Sequence, residues 1–270
     1  MTIPMGRAVL ALQLLLEGNS VRSTQRVTGV DQNTIMKLLV VAGEKCEKIM
    51  ARYVRNVAVK DVECDELWSF IGKKAKRVRP EDDQNLGDAY VFVGIERNSK
   101  LVLNIAMGKR DQQTTNIFIE GLRDAIKPGT SFQCTTDGFA PYRTSIPDTF
   151  GDYVDYAMLI KVYRAPSEGE ARYSPAEVSS VEVVPVCGNP DPKRICTSII
   201  ERSNLSVRMG CRRFTRLTNG FSKKWENHWA AVTLWYTYYN FCRIHKSLRV
   251  TPAMEAGITD RIWGIGDLLA

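Results

Sequence analysis

Apolar residues recur at helical spacing through the first 55 residues of the chain and predict three helices. The first helix is expected over residues 6–17, and a short second helix follows Ser20. Gly29 then supplies a turn, and Asp31 is placed to cap a third helix. This spacing is typical of a helix-turn-helix. A plain three-helix cap on a larger domain is the alternative.

From Val57 onward the pattern changes to short apolar runs at strand spacing, which predicts a sheet with intervening helices. Strands are expected over residues 57–70, 90–96, 101–107, 132–136 and 154–163, and helices over residues 111–127, from 139 to 143 or beyond, from 197, and over 224–242. This order is that of a ribonuclease-H-like core. The predicted fold class is therefore α/β: a ribonuclease-H-like mixed-sheet catalytic core with an N-terminal all-α helix-turn-helix module.

The same pattern divides the chain into three parts. We expect a helix-turn-helix module over residues 1–54, a catalytic domain over residues 55–250 and a C-terminal tail over residues 251–270. Residues 164–195 hold five prolines and one strand-like run at 181–186, and are interpreted as an insertion at about 164–195 in the catalytic domain.

Several classes of protein are disfavoured by simple features of the chain. The apolar stretch at residues 8–16 is well below the roughly 18 residues that span a bilayer, and it lacks the flanks of a secretory signal. Seven cysteines lie at irregular spacing without a Cys-x-x-Cys pair, which disfavours a zinc ribbon. We therefore expect no membrane partner and a cytoplasmic location.

Positive charge is concentrated in one C-terminal segment. The chain carries a net charge of +7, and residues 196–250 alone hold ten Lys or Arg against two acids. Affinity for DNA comes largely from neutralising phosphates, so this segment predicts a nucleic-acid surface. A solvated basic face is the alternative.

Three carboxylates fall on elements that a ribonuclease-H-like core brings together. Asp65 lies in the first strand, Asp137 ends the fourth, and Glu201 lies one turn into the helix after the insertion. Carboxylates suit hard divalent cations, and two such ions can hold the attacking and leaving oxygens of a phosphodiester displacement. The plainer alternatives are a turn residue at Asp137, a strand-end charge at Asp65 or Glu66, and an exposed Glu201 paired with an arginine.

Six sequence motifs along the chain carry a resemblance to a known family. They are residues 64–74 (CDELWSFIGKK), 136–139 (TDGF), 198–205 (SIIERSNL), 212–219 (RRFTRLTN), 239–248 (YNFCRIHKSL) and 251–254 (TPAM). Together they resemble the insertion-sequence-one family of bacterial DDE transposases, from the helix-turn-helix to Trp263. Some relatives carry an N-terminal zinc module, and this sequence has none.

The resemblance implies a DNA transposase that nicks the ends of an insertion element and joins the freed 3′-hydroxyl to target DNA by divalent-metal-dependent phosphodiester displacement. It implies that Asp65, Asp137 and Glu201 are the catalytic triad and the metal ligands, with two Mg²⁺ ions and Mn²⁺ as a substitute. Its partners would be double-stranded DNA, at element ends and target, and further copies of the chain in a homo-oligomer. Its location would be the bacterial cytoplasm, in association with the nucleoid.

Two rival functions stay open at this point. One is a non-catalytic helix-turn-helix DNA-binding relative, either domesticated or regulatory. The other is a ribonuclease-H-like nuclease without strand transfer. Within the catalytic site, the first ligand is either Asp65 or one of its acidic neighbours Asp61, Glu63 and Glu66.

DNA contacts are predicted from two parts of the chain. The start of the third helix should contact base edges, and the basic segment together with the polar face of the Glu201 helix should contact phosphates. The first set is Gln32, Asn33, Thr34 and Lys37, and the second is Arg202, Asn204, Arg208, Arg212, Arg213, Arg216, Lys223 and Lys224.

Overall fold

The computed structural model describes residues 3–164, 177–216 and 218–270. Residues 165–176, which belong to the predicted insertion, lie outside this part of the chain. The described residues form a mixed six-stranded sheet with helices around it and three helices at the N-terminus. No described helix combines the length and the apolar character needed to cross a bilayer.

The second and third N-terminal helices begin where the sequence predicts, after Ser20 and Asp31, and the first begins one residue earlier than predicted. The three helices are α1 (Met5–Leu16), α2 (Val21–Thr28) and α3 (Gln32–Tyr53). The Ser20 hydroxyl accepts the Ser23 N–H at the start of α2, and the Asp31 carboxylate accepts the Asn33 N–H at the start of α3. Gly29 adopts φ 70° between them, a conformation that glycine allows without steric cost. The predicted order of three helices is confirmed.

The sheet has the strand order β3-β2-β1-β4-β5-β6. Its strands are β1 (Asp61–Ile71), β2 (Gly87–Glu96), β3 (Val102–Gly108), β4 (Phe132–Thr136), β5 (Val154–Arg164) and β6 (Glu177–Cys187). The first three pair antiparallel, β4 runs parallel to both β1 and β5, and β6 is antiparallel to β5. This is the ribonuclease-H-like mixed sheet expected from the sequence.

Three strands differ from the expectation by more than one residue at a boundary, and one of them is β2, which begins at Gly87 instead of residue 90. The first strand begins at Asp61, because Val57 forms only an isolated bridge with Ile126. The insertion contributes a full strand, β6, which is longer than the predicted run at 181–186. Most of its side chains are exposed at the edge of the sheet, so burial imposes little hydrophobic alternation there.

Five further helices surround the sheet: α4 (Gln112–Ala125), α5 (Tyr142–Phe150), α6 (Ser198–Gly210), α7 (Trp225–Phe241) and α8 (Pro252–Glu255). The α5 helix starts three residues later than expected, because the Asp137 carboxylate accepts the Phe139 N–H and forms a turn first. The aromatic helix α7 is mostly buried, as a core helix should be.

The N-terminal helices share a core with the rest of the chain. Buried residues from α1 and α3 belong to the same apolar cluster as the sheet, α7 and the C-terminal tail. Gly43 of α3 lies against Ala230 of α7, where an added Cβ would stand 2.5 Å from the Ala230 Cα. The Lys45 ammonium donates to the Leu269 carbonyl, which ties the tail to α3.

The close approach of α3 and α7 predicts the effect of one methyl group. We expect Gly43→Ala to lower the free energy of unfolding by about 1–3 kcal/mol, because the methyl group meets backbone atoms of Ala230. The matched control is Gly6→Ala in α1, where nothing lies within 4 Å of the added Cβ. That change should be neutral or stabilise the protein by up to about 1 kcal/mol. Urea denaturation measures both, and a stabilising Gly43→Ala would contradict the packing.

Candidate functional site

Strand pairing places two acids side by side. The parallel pairing of β1 with β4 runs as far as Cys64 and Thr136. Asp65 follows Cys64 in β1, and Asp137 follows Thr136 at the end of β4, so both acids lie directly after the last paired residues. Asp137 then turns the chain through its hydrogen bond of 2.9 Å from the Phe139 N–H.

A third carboxylate, Glu66, joins this pair. Carboxylate oxygens of Asp65, Glu66 and Asp137 all lie within 4.8 Å of one another. Glu66 follows Asp65 directly on β1. We define these three residues as the acidic cluster. Three hard oxygen donors at this spacing suit a divalent cation such as Mg²⁺ or Mn²⁺.

Arg110, between β3 and α4, provides the positive charge beside the acidic cluster. Its Nε donates to Glu66 Oε2 at 3.0 Å, and its Nη2 lies 3.5 Å from Asp137 Oδ2. The guanidinium carbon stands 4.0 Å from the centroid of the Phe139 ring. Sequence reasoning did not identify Arg110, which lies outside every motif and directly precedes the N-cap Asp111.

Burial disfavours the charged form of two cluster acids. Burial, and after it the negative charge of Asp137, raise the pKa of Asp65 to about 6 and the pKa of Glu66 to about 7. The Glu66 side chain is 2% exposed, its Oε1 makes no close hydrogen bond among the described residues, and the nearby Tyr142 hydroxyl offsets only part of the rise in the pKa of Glu66. A bound cation would satisfy this oxygen and favour the ionised acids, so the cluster fits a divalent metal.

Helix α6 is fixed against β1 by its first amides. The Glu63 carboxylate accepts the N–H groups of Ile199 and Ile200, both at 2.9 Å. One turn further on, the Asn204 amide donates to Asp65 Oδ2 at 2.7 Å. These contacts turn the polar face of α6 toward the acidic cluster.

The third predicted acid, Glu201, lies on α6 beside the acidic cluster but is not one of its members. Its carboxylate forms an ion pair with Lys161 of β5 and accepts the Thr197 hydroxyl at 2.6 Å. Its charge contributes to the raised pKa of Asp65. The structure therefore brings Asp65 and Asp137 together and places Glu201 on the neighbouring helix in contact with a lysine.

The predicted DNA-contacting residues fall in two places. Arg202 is exposed on α6, and Arg208 is half-buried on the same helix, where burial and then the nearby Arg216 lower its pKa. Four of the five remaining bases and the start of α3 line one cleft of about 880 Å³, whereas Arg216 is exposed and lies outside its lining. The lining includes Gln32, Asn33, Arg212, Arg213, Lys223 and Lys224. Lys37 is exposed further along α3, and Thr34 is half-buried.

Comparison with solved structures finds similarity to DNA transposase complexes. A Mos1 transposase paired-end complex with the left transposon end shows 16% identity and a TM-score of 0.26, covering 58% of this chain and 60% of the Mos1 chain. A Mos1 mariner paired-end complex with Mn shows 14% identity and a TM-score of 0.24, covering 52% of this chain and 54% of that one. A piggyBac transposase synaptic complex with hairpin DNA shows 8% identity and a TM-score of 0.40, covering 100% and 71%.

The chain thus spans about 60% of the length of the first Mos1 chain that it matches. No protein-family model matches it, and no curated protein matches it either. The fold and the acidic cluster define an α/β protein with a ribonuclease-H-like sheet and a candidate divalent-metal centre.

The raised pKa of Glu66 predicts a stability effect that depends on pH. In metal-free protein, ionised Glu66 is unfavourable above its folded pKa of about 7, whereas below the unfolded value of 4.5 it is protonated in both states. Glu66→Gln should therefore raise the free energy of unfolding by about 3 kcal/mol near pH 8, since the pKa of Glu66 rises from 4.5 to about 7 on folding. The gain should shrink toward zero by about pH 4.

Denaturant unfolding with a chelator present, repeated across this pH range, measures the effect. The matched control is Glu120→Gln on the exposed face of α4, which should change stability by less than about 0.5 kcal/mol at every pH. An equal gain for Glu66→Gln at both ends of the range would contradict the assigned charge state of the acidic cluster.

Proposed function

We propose that this protein is a DNA transposase of the insertion-sequence-one type. It would nick DNA at the ends of an element and join the freed 3′-hydroxyl to target DNA by divalent-metal-dependent phosphodiester displacement. The observation that carries this proposal is the convergence of Asp65, Glu66 and Asp137 where β4 ends in a ribonuclease-H-like sheet. The six sequence motifs that resemble this family support it.

The proposal assigns metal binding to Asp65, Asp137 and Glu201. Two bound Mg²⁺ ions, or Mn²⁺ in their place, would activate water and stabilise the oxygens of the displaced phosphodiester. Glu66 is a fourth carboxylate, and its Oε1, which makes no close hydrogen bond to a described residue, is available to the same site. Glu201 contacts Lys161, so its recruitment requires that this ion pair open.

Other residues hold these acids in position. The Asn204 amide orients Asp65 through its hydrogen bond of 2.7 Å. Arg110 binds Glu66, lies beside Asp137, and offsets part of the repulsion among the acidic cluster. Half-buried Arg208 lies near Asp65 on the same face of α6 as Asn204, where it can contact a phosphate.

The proposed partner is double-stranded DNA, both at the element ends and at the target. Helices α2 and α3 would form the helix-turn-helix of the module over residues 1–54, and the domain over residues 55–250 would carry the chemistry. We further propose that the active complex is a homo-oligomer and that the protein works at the nucleoid in the bacterial cytoplasm.

Loss of a metal ligand should abolish DNA nicking and leave DNA binding nearly intact. We expect Asp65→Asn and Asp137→Asn to slow Mg²⁺-dependent nicking at least about 100-fold, since loss of a residue that only hydrogen-bonds to a metal ligand typically costs about 10–100-fold. The substrate is a supercoiled plasmid that carries the DNA flanking the gene on both sides. The matched control is Asp124→Asn on the exposed end of α4, which should nick at the wild-type rate.

The same assay distinguishes the third ligand and the rival functions. Loss of nicking in Glu201→Gln supports the assigned triad, whereas loss in Glu66→Gln with wild-type nicking in Glu201→Gln would replace Glu201 by Glu66. Nicking without joined products would indicate a nuclease. DNA binding without nicking under any divalent metal would indicate a non-catalytic relative and would contradict the proposal.

The exposed start of α3 should determine which sequence is bound. Asn33 is exposed there, and an amide side chain can make a bidentate contact with adenine that is worth about 1–3 kcal/mol of discrimination. We expect Asn33→Ala to relax preference at one base pair, as measured by selection from a random duplex pool. Asn85→Ala, an exposed amide on the β1–β2 connection, is the control and should select the wild-type sequence. An unchanged selection by Asn33→Ala would exclude this residue from base contact.

A further inference from the structure

The cleft of about 880 Å³ lies between the N-terminal helices and residues 211–213 and 219–224, which follow α6. We propose that this cleft holds one phosphate strand of a DNA duplex, so that the DNA contacted by α3 is bound at the same time by the basic segment of the core. The proposal rests on the proposed function for the identity of the polyanion as DNA. It joins two sets of contacts that the sequence predicts separately.

The side chains that line the cleft give it a positive charge. Five bases line it, and its lining contains neither Asp nor Glu. They are Arg22, Arg212, Arg213, Lys223 and Lys224. None of them forms an ion pair within the described part of the chain. Like charges gathered in a concave surface repel one another and raise the local potential, which favours a bound polyanion.

Two helix starts add to this potential. The lining includes Ser20 and Val21 at the start of α2, and Gln32 and Asn33 at the start of α3. The amide groups and the positive end of the dipole at a helix N-terminus both favour phosphate. Together with the five bases, they give both walls of the cleft the same electrostatic sign.

Arg213 connects the two walls. Its guanidinium donates to the Ser222 hydroxyl at 2.8 Å and approaches the Met36 sulfur of α3 at 3.8 Å. Burial lowers the pKa of Arg213 and holds the neighbouring His228 neutral, with a pKa of about 3. A partly buried cation without a carboxylate partner is unfavourable, and a phosphate in the cleft would offset this cost.

The cleft lies beside the N-terminal end of α3, which is the part of the chain proposed to contact base edges. Gln32 and Asn33 line it, and Lys37 is exposed one turn further along α3. When a helix enters the major groove by its N-terminal end, the phosphates that flank the groove pass beside that end. A strand in the cleft is therefore the backbone of the duplex that α3 contacts. Base recognition and backbone binding would act on one DNA molecule.

The test compares two double variants that each remove two lysines. Lys223→Ala/Lys224→Ala removes charge from the cleft, and Lys48→Ala/Lys127→Ala removes the same charge from exposed positions outside its lining. Each protein is titrated onto the duplex that the wild type selects, at a series of salt concentrations, by fluorescence anisotropy. The slope of log K against log salt is negative, and its magnitude should decrease by about 2 for the cleft variant and stay unchanged for the control.

Equal salt slopes for the two variants would overturn the proposal. It would also be overturned if the cleft variant lost affinity for random duplexes but kept its affinity for the selected duplex, because the cleft would then hold a second DNA molecule. The nicking assay is independent of these outcomes. Loss of slope without any metal-dependent nicking would keep the cleft as a DNA site and contradict the transposase activity.

Discussion

The parallel pairing of β1 with β4 is the constraint on which the candidate site depends. Because this pairing stops at Cys64 and Thr136, the next residue on each chain is an acid at the same edge of the sheet. Neither Asp65 nor Asp137 has to be carried there by a loop. Glu66 comes with Asp65 as its chain neighbour, and the acidic cluster follows from strand register alone.

Without a bound cation, the ionised form of the acidic cluster is energetically unfavourable. Two of its acids have pKa values raised by burial, and one Glu66 oxygen is buried without a close hydrogen bond to any described residue. Arg110 offsets only part of this negative charge, since it forms ion pairs with Glu66 and Asp137 but not with Asp65. A site that is unfavourable when empty and favourable when loaded is what a catalytic metal centre requires, because the unsatisfied charge is what binds the ion.

The sequence predicted most elements of the fold but only part of the site. Caps at Ser20 and Asp31 are local signals, so the N-terminal helices could be placed from residues alone. Strand β6 carries little burial pattern because it lies at an edge. Arg110 reaches Glu66 across 44 positions of the chain, and no spacing rule connects two residues that meet only through sheet register and a loop.

Helix α3 packs against the core along part of its length, so the orientation of its N-terminal end depends on the core. It is 22 residues long, and its first turn and its middle make different contacts. The first turn lines the basic cleft, while Gly43, near its middle, packs directly on Ala230 of α7. A helix so closely packed cannot rotate freely about its own axis, so the orientation of its exposed first turn is set by the core. Any DNA bound by that turn is therefore held at a fixed position relative to α7.

The segment 211–224 links α6, whose Asn204 contacts Asp65, to the start of α7. The route from the exposed turn of α3 to the acidic cluster thus passes through packed helices and one short connection, which is how a bound duplex could be held in a defined relation to the carboxylates.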